Sequence, residues 1–212
     1  MATTKSVIIS CAGIGSRLGL GQTKALININ GKSLIAWQLE VFKEVEDLRI
    51  VIGYQANDVV EEVLRYRDDV IFVYNHRYFE TKTGASLYLG AQHANDLIIA
   101  WDGDLLVHPD DVKIILSVDY EFIGCAEKAS EEAVYVNINE KGDIISFSRE
   151  DGDYEWTGPA CIRRDKLNYS SGNVFNQLEP YLPMKGLKVR AYDIDTYQDY
   201  LNVSKIVENW TK

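Results

Sequence analysis

The chain has 212 residues, 46% of them apolar and 25% charged, which suits one soluble globular domain (1–212) with a large core. Its net charge of −10 argues against nucleic acid or an anionic membrane as a partner, because both demand surplus Lys and Arg. Three widely spaced cysteines without a CxxC pair argue against a disulfide framework or zinc cluster, and no apolar run is long enough to span a membrane; a cytoplasmic location is expected.

In chain order, "SVIISCA" (6–12) reads as a fully buried strand, followed by a glycine-rich loop. "SLIAWQLEVFKEV" (33–45) places apolar residues at 34, 37, 41 and 45, which is helical spacing. "LRIVIGY" (48–54) is a second buried strand, and Asp58 with Glu61 three residues on marks the start of a helix. "VIFVYN" (70–75) is a third strand, residues 84–94 form a helix rich in small side chains, and "DLIIAWDGD" (96–104) is a fourth strand ending in acids. Later, "AVYVNIN" and "IISFSR" alternate around "EKGD" as a hairpin would, and "GLKVRAYDID" (186–195) is one more strand. Thr196 and Asp199 form a capping box for a last helix to about residue 210. Continuous Val/Ile runs separated by helices imply a sheet covered on both faces. The expected fold is an α/β/α sandwich with a mostly parallel, partly mixed sheet and its site at the carboxyl ends of the parallel strands.

The loop "CAGIGSRLGLGQTK" (11–24) places glycines after a strand, where backbone N–H groups can approach phosphate oxygens. It lacks the Gly-Lys-Ser/Thr of a Walker loop. Gly13, Gly15 and Gly19 have dinucleotide-fold spacing, but no acid ends the second strand to hold a ribose. The better reading is a triphosphate cradle over Gly13 to Arg17, with Arg17 and Lys24 as the cations that steady shifting charge.

"AGIGSRLGLGQTKALININGKSLIAWQLE" (12–40) resembles the signature of the nucleotidyltransferase superfamily, of MobA-like and sugar-phosphate nucleotidyltransferase type. Residues 12–18, 24–26 and 31–35 match its Ala-Gly-x-Gly-x-Arg-Leu, Lys-Ala-Leu and Gly-Lys-x-Leu-Ile elements. Cys11 stands where alanine is usual, and the gap before Lys24 is short and lacks the common proline. The resemblance implies the fold shared with glycosyltransferases of GT-A type and assigns the nucleotide to Ala12, Gly13, Gly15, Ser16, Arg17, Lys24, Ser86 and Asp102. It also implies Mg²⁺ on Asp104 and Asp195. A turn role for Asp102 and Asp104, or a helix-cap role for Asp195, stays open, and Asp102 could instead bond a ribose or the second substrate.

Over most of its length the chain is similar to short bacterial cytidylyltransferases of the CTP:phosphocholine type, most of all in residues 7–54, in "YNHRYFETKTGASLYLGAQHANDLIIAWDGD" and in "YDIDTYQDYLNV". Relatives often carry paired asparagines where Lys82, Thr83 and Gly84 stand. The implied reaction transfers a nucleotidyl group, CMP from CTP, to a small phosphorylated acceptor with release of pyrophosphate. Trp156 and Tyr192, with Tyr154, could wall a cationic head group, or simply pack. Sugar phosphates and phosphonates remain open as acceptors. A glycosyltransferase holding metal on Asp102-Gly103-Asp104, a non-catalytic nucleotide sensor and a homodimer are left as further readings.

Overall fold

The computed structural model describes residues 4–15, 19, 21–128 and 133–210. Ser16 and Arg17, both expected at the nucleotide, lie outside the described residues.

Four strands build the first half: β1 (Lys5–Ser10), β4 (Asp47–Ile52), β5 (Ile71–Tyr74) and β6 (Leu97–Asp102), while β2 (Asn28–Ile29) and β3 (Lys32–Ser33) pair with each other in a small hairpin apart from them. They run parallel in the order β5-β4-β1-β6. Alternation directs Val7 and Ile9 of β1 to one face and Ile8 to the other, and β6 does the same with Ile99 and Ala100. Both faces are buried, hence the unbroken apolar runs. Helices α1 (Leu34–Val41), α2 (Ala56–Leu64) and α4 (Pro109–Ser117) cover the first face, and α3 (Thr83–Gly90) and α5 (Val174–Leu178) cover the second.

The second half adds β8 (Phe122–Ala126), the hairpin β9 (Tyr135–Ile138) with β10 (Asp143–Ser148), β11 (Tyr154–Arg163) and β12 (Met184–Lys188). The sheet continues β6-β11-β8-β12-β10-β9, with β11 antiparallel to β6, to β8 and, at its start, to β9, and β12 parallel to β8. The expected three-layer α/β architecture is present, with a larger antiparallel share than the apolar runs suggested. Strand β11 was not anticipated, because Gly158-Pro159 in its middle reads as a break. The structure absorbs that dipeptide in a bulge between Trp156 and Ala160.

Two expected boundaries move. The run 186–195 is not one strand. After β12, Arg190 is tied to Asp111 through its backbone N–H (2.7 Å) and a two-pronged guanidinium contact. The chain there turns away, and β13 (Ala191–Asp193) pairs instead with β7 (Leu105–Val107) in a separate ribbon. Helix α2 begins at Ala56, not at an Asp58–Glu61 box: Gln55 precedes it with φ of 50°, and its side chain accepts the Thr23 N–H at 2.8 Å. The final helix, α6 (Tyr197–Val207), does carry the expected Thr196–Asp199 capping box. Cys11, Cys125 and Cys161 are free thiols, and among the described residues no helix is long and apolar enough to cross a membrane.

Candidate active site

β1 pairs with β4 on one side and β6 on the other, so the chain order reverses at the carboxyl ends of β1 and β6. Open α/β sheets take their ligands at such a crevice. A cleft of about 240 Å³ opens there, lined by Gly13, Gly15, Lys24, Thr83, Asp102 and Asp104 among others.

The glycine loop leaves β1 through two backbone bonds, Cys11 N–H to Val51 at 2.8 Å and Tyr54 N–H to Ala12 at 3.1 Å. Gly15 has φ of +67°, and a Cβ there would come within 3.0 Å of the Lys24 side chain. Only glycine lets the loop lie over that lysine without strain. Lys24 itself starts a short 3₁₀ turn, is buried, and aims its ammonium into the cleft.

Beyond β6, Asp102-Gly103-Asp104 turns sharply against the end of β1. The Gly103 N–H donates to Ser10 at 3.0 Å, and a Cβ on Gly103 would meet the Ser10 carbonyl at 2.7 Å and the Cys11 sulfur at 2.9 Å. The ribbon of β7 and β13 then brings the far end of the chain to this turn: the Ile194 N–H donates to the Asp104 carbonyl at 3.2 Å. Asp195 follows directly, and its N–H donates to Asp199 within the cap of α6 at 3.2 Å.

These supports make the two acids converge. Lys24 Nζ donates to Asp104 Oδ2 at 2.7 Å and also to Asp195 Oδ1. Two oxygens bonded to one nitrogen stand within roughly 5 Å of each other. Burial works against the ammonium, but Asp104 and Asp195 outweigh it, so Lys24 is held above the usual lysine range and stays charged. Asp102 is pushed up to about 7 by burial first and by Asp104 next. Asp193 is raised as well, by the protein crowded around it and then by Asp104, Asp102 and Asp195. Water still reaches Asp193, so the like charges are the firmer cause. Among the described residues lining the cleft, Lys24 is the one cation.

Asp193, which closes β13 two residues before Asp195, was not singled out from the sequence. Thr83 was passed over for Ser86. Thr83 lines the cleft, while Ser86 is buried beneath it and accepts a bond from Asn75 at 3.1 Å. Ala12 is buried and contributes its carbonyl to the loop rather than a surface to the cleft. Trp156 and Tyr192 are not brought together. Trp156 packs edge-on against Phe147 at 5.7 Å, and Tyr192 lies 6.4 Å from Trp210 in a different apolar cluster. Tyr154 instead carries the Lys188 ammonium 4.0 Å above its ring.

Residues 7–149 match the MobA-like NTP transferase domain, and the chain belongs to that family: it is an enzyme of the nucleotidyltransferase class. More particularly, it is similar to the choline-phosphate cytidylyltransferase of Streptococcus pneumoniae, with 28% identity over 95% of this chain and 98% of that one. It is also similar to the 2-C-methyl-D-erythritol 4-phosphate cytidylyltransferase of Endomicrobium trichonymphae, with 26% identity over 96% and 84% of the two chains. The solved CTP:phosphocholine cytidylyltransferase of S. pneumoniae shares the fold, with a TM-score of 0.76, 21% identity and coverage of 96% and 99%. The inositol-1-phosphate CTP transferase of T. maritima does so with a TM-score of 0.78, 20% identity and coverage of 98% of each chain.

Proposed function

We propose that this enzyme transfers CMP from CTP to a small phosphorylated acceptor and releases pyrophosphate. The observation that carries the reading is the meeting of Lys24, Asp104 and Asp195 beneath the glycine loop. The cytidylyl donor and phosphorylated acceptor draw support from the similar proteins, a choline-phosphate and a methylerythritol-phosphate cytidylyltransferase.

In this reading the backbone of Gly13–Gly15 and the Lys24 ammonium hold the triphosphate, and Arg17 is assigned to it as a second cation. A phosphate oxygen of the acceptor attacks the α-phosphorus in line. The bond from that phosphorus to the bridging oxygen breaks, and its electron pair leaves with pyrophosphate. The attacking phosphate is already an anion at neutral pH, so no protein nucleophile is needed. The buried Cys11 thiol, pushed far up by burial and then by Asp104 and Asp102, stays protonated and takes no part.

The donor set suits Mg²⁺, which takes oxygen ligands and is often held by one or two carboxylates plus substrate phosphates. Asp104 and Asp195 would hold it, with Asp193 beside them. The ion would supply charge neutralisation on the phosphates as the leaving group departs.

The test is pyrophosphate release from CTP, UTP, GTP and ATP, each with Mg²⁺, across a panel of choline, polyol and sugar phosphates. CTP should be preferred, and Asp104→Asn should abolish turnover. Release of a nucleoside diphosphate from a nucleotide-sugar, or no product from any pair, would overturn the reading.

A further inference from the structure

Gln38 sits in the middle of α1 and has no exposed surface. A buried amide on a helix facing the core is unusual unless its hydrogen bonds matter. Its Nε2 donates to two carbonyls, Asp102 at 2.9 Å and Leu105 at 2.7 Å. Those carbonyls bracket the Asp102–Leu105 turn. Two acceptors on one side chain atom fix which end of the amide is nitrogen, and Oε1 has no partner among the described residues. The side chain is therefore used only as a double donor.

The other contacts of the turn come from elsewhere. Ser10 at the end of β1 accepts the Gly103 N–H, and Ile194 donates to the Asp104 carbonyl. Three elements thus clasp four consecutive residues, and the Gln38 side chain reaches both ends. Rotation of the peptide units at 102 or 105 would swing the Asp104 side chain off the point it shares with Asp195.

We infer that Gln38 is a positioning residue: by bonding the carbonyls of Asp102 and Leu105 it holds the turn that aims the Asp104 carboxylate at Lys24 and Asp195. Its functional meaning rests on the metal reading above, but the geometry of the turn does not. Outer-shell partners that orient metal-binding carboxylates typically change metal affinity by about 10- to 100-fold when removed.

Gln38→Leu removes both donors at nearly constant volume, and Gln38→Met serves as a second variant should the first fold poorly. Asp47→Asn, at the opposite end of the sheet, is the control for general destabilisation. Three quantities are measured on each full-length protein: the melting temperature, Mn²⁺ affinity in the presence of CTP by electron paramagnetic resonance, and amide exchange across residues 97–107 without metal. We expect both Gln38 variants to bind Mn²⁺ about tenfold or more weakly and to exchange faster in 97–107. Asp47→Asn, though it lowers the melting temperature as the Gln38 variants do, should match the wild type in both. Gln38 variants that behave like the Asp47 control in exchange and in Mn²⁺ affinity overturn the inference. A wild-type protein that binds no Mn²⁺ with CTP refutes the metal reading instead, and exchange in 97–107 then decides the role of Gln38 alone.

Discussion

Replacing Lys24 with Met keeps the length and apolar stem of the side chain and removes only the charge. In the present geometry that leaves Asp104 and Asp195 facing each other without the ammonium bonded to both. Two like charges roughly 5 Å apart repel by about 3 kcal/mol at an effective dielectric of 20, and partial exposure of both carboxylates trims this to about 1–2 kcal/mol. Fold stability should therefore fall modestly. Catalysis should fall far more, because a preorganised group meeting charge that develops on the leaving phosphates is worth about 10²–10³ in rate. Divalent binding without nucleotide should move the other way and tighten, since the lysine no longer competes for the same two oxygens. The assays are coupled pyrophosphate release at saturating CTP and acceptor, and a Mn²⁺ titration of the free protein. A rate within threefold of wild type would refute the role of Lys24. Weaker Mn²⁺ binding in Lys24→Met would refute the idea that ammonium and metal share those oxygens.

Gly103→Ala would put a methyl group 2.7 Å from the Ser10 carbonyl, forcing the turn outward by about half an ångström or more. Displacements of this order at a reacting centre cost up to about 10²-fold, so kcat should drop one to two orders while circular dichroism stays native. Asp47 accepts two bonds from Arg49 and one from Ser6. Burial alone would raise its carboxyl, but these bonds and the Arg49 charge hold it below 3.8. A depressed group stabilises the fold above its unfolded value and loses that contribution as pH falls through the folded one. The melting temperature of wild type should thus decline below about pH 3.8, and Asp47→Asn should be less stable at neutral pH with a flatter acid limb. Thr196→Ala removes the hydroxyl that accepts the Asp199 N–H at 3.2 Å and should cost about 1 kcal/mol, or roughly 2–4 °C in melting temperature. Its rate should fall as well, because the same cap holds the backbone of Asp195.

The parallel half of the sheet was legible because β1, β4 and β6 are buried on both faces and so read as continuous apolar runs. The glycine loop and Lys24 were legible for a different reason: few residue types allow a backbone to pass so close to a charged side chain. Asp195 was reached through resemblance, and geometry now sets it beside Asp104. The parts that escaped are governed by tertiary partners. β11 keeps Gly158-Pro159 only because a bulge accepts them, and the break after β12 comes from Asp111 capturing Arg190. Gln38 shows the limit most clearly, since a polar residue on an apolar helix face looks like noise until the turn it grips is in view.

The two-stranded ribbon of β7 and β13 is small, yet it ties two remote stretches of the chain to one spot: Leu105, next to Asp104, lies opposite Asp193, two residues before Asp195. A chain cut before residue 191 would keep Asp104 and lose both the ribbon and the second carboxylate that Lys24 bonds.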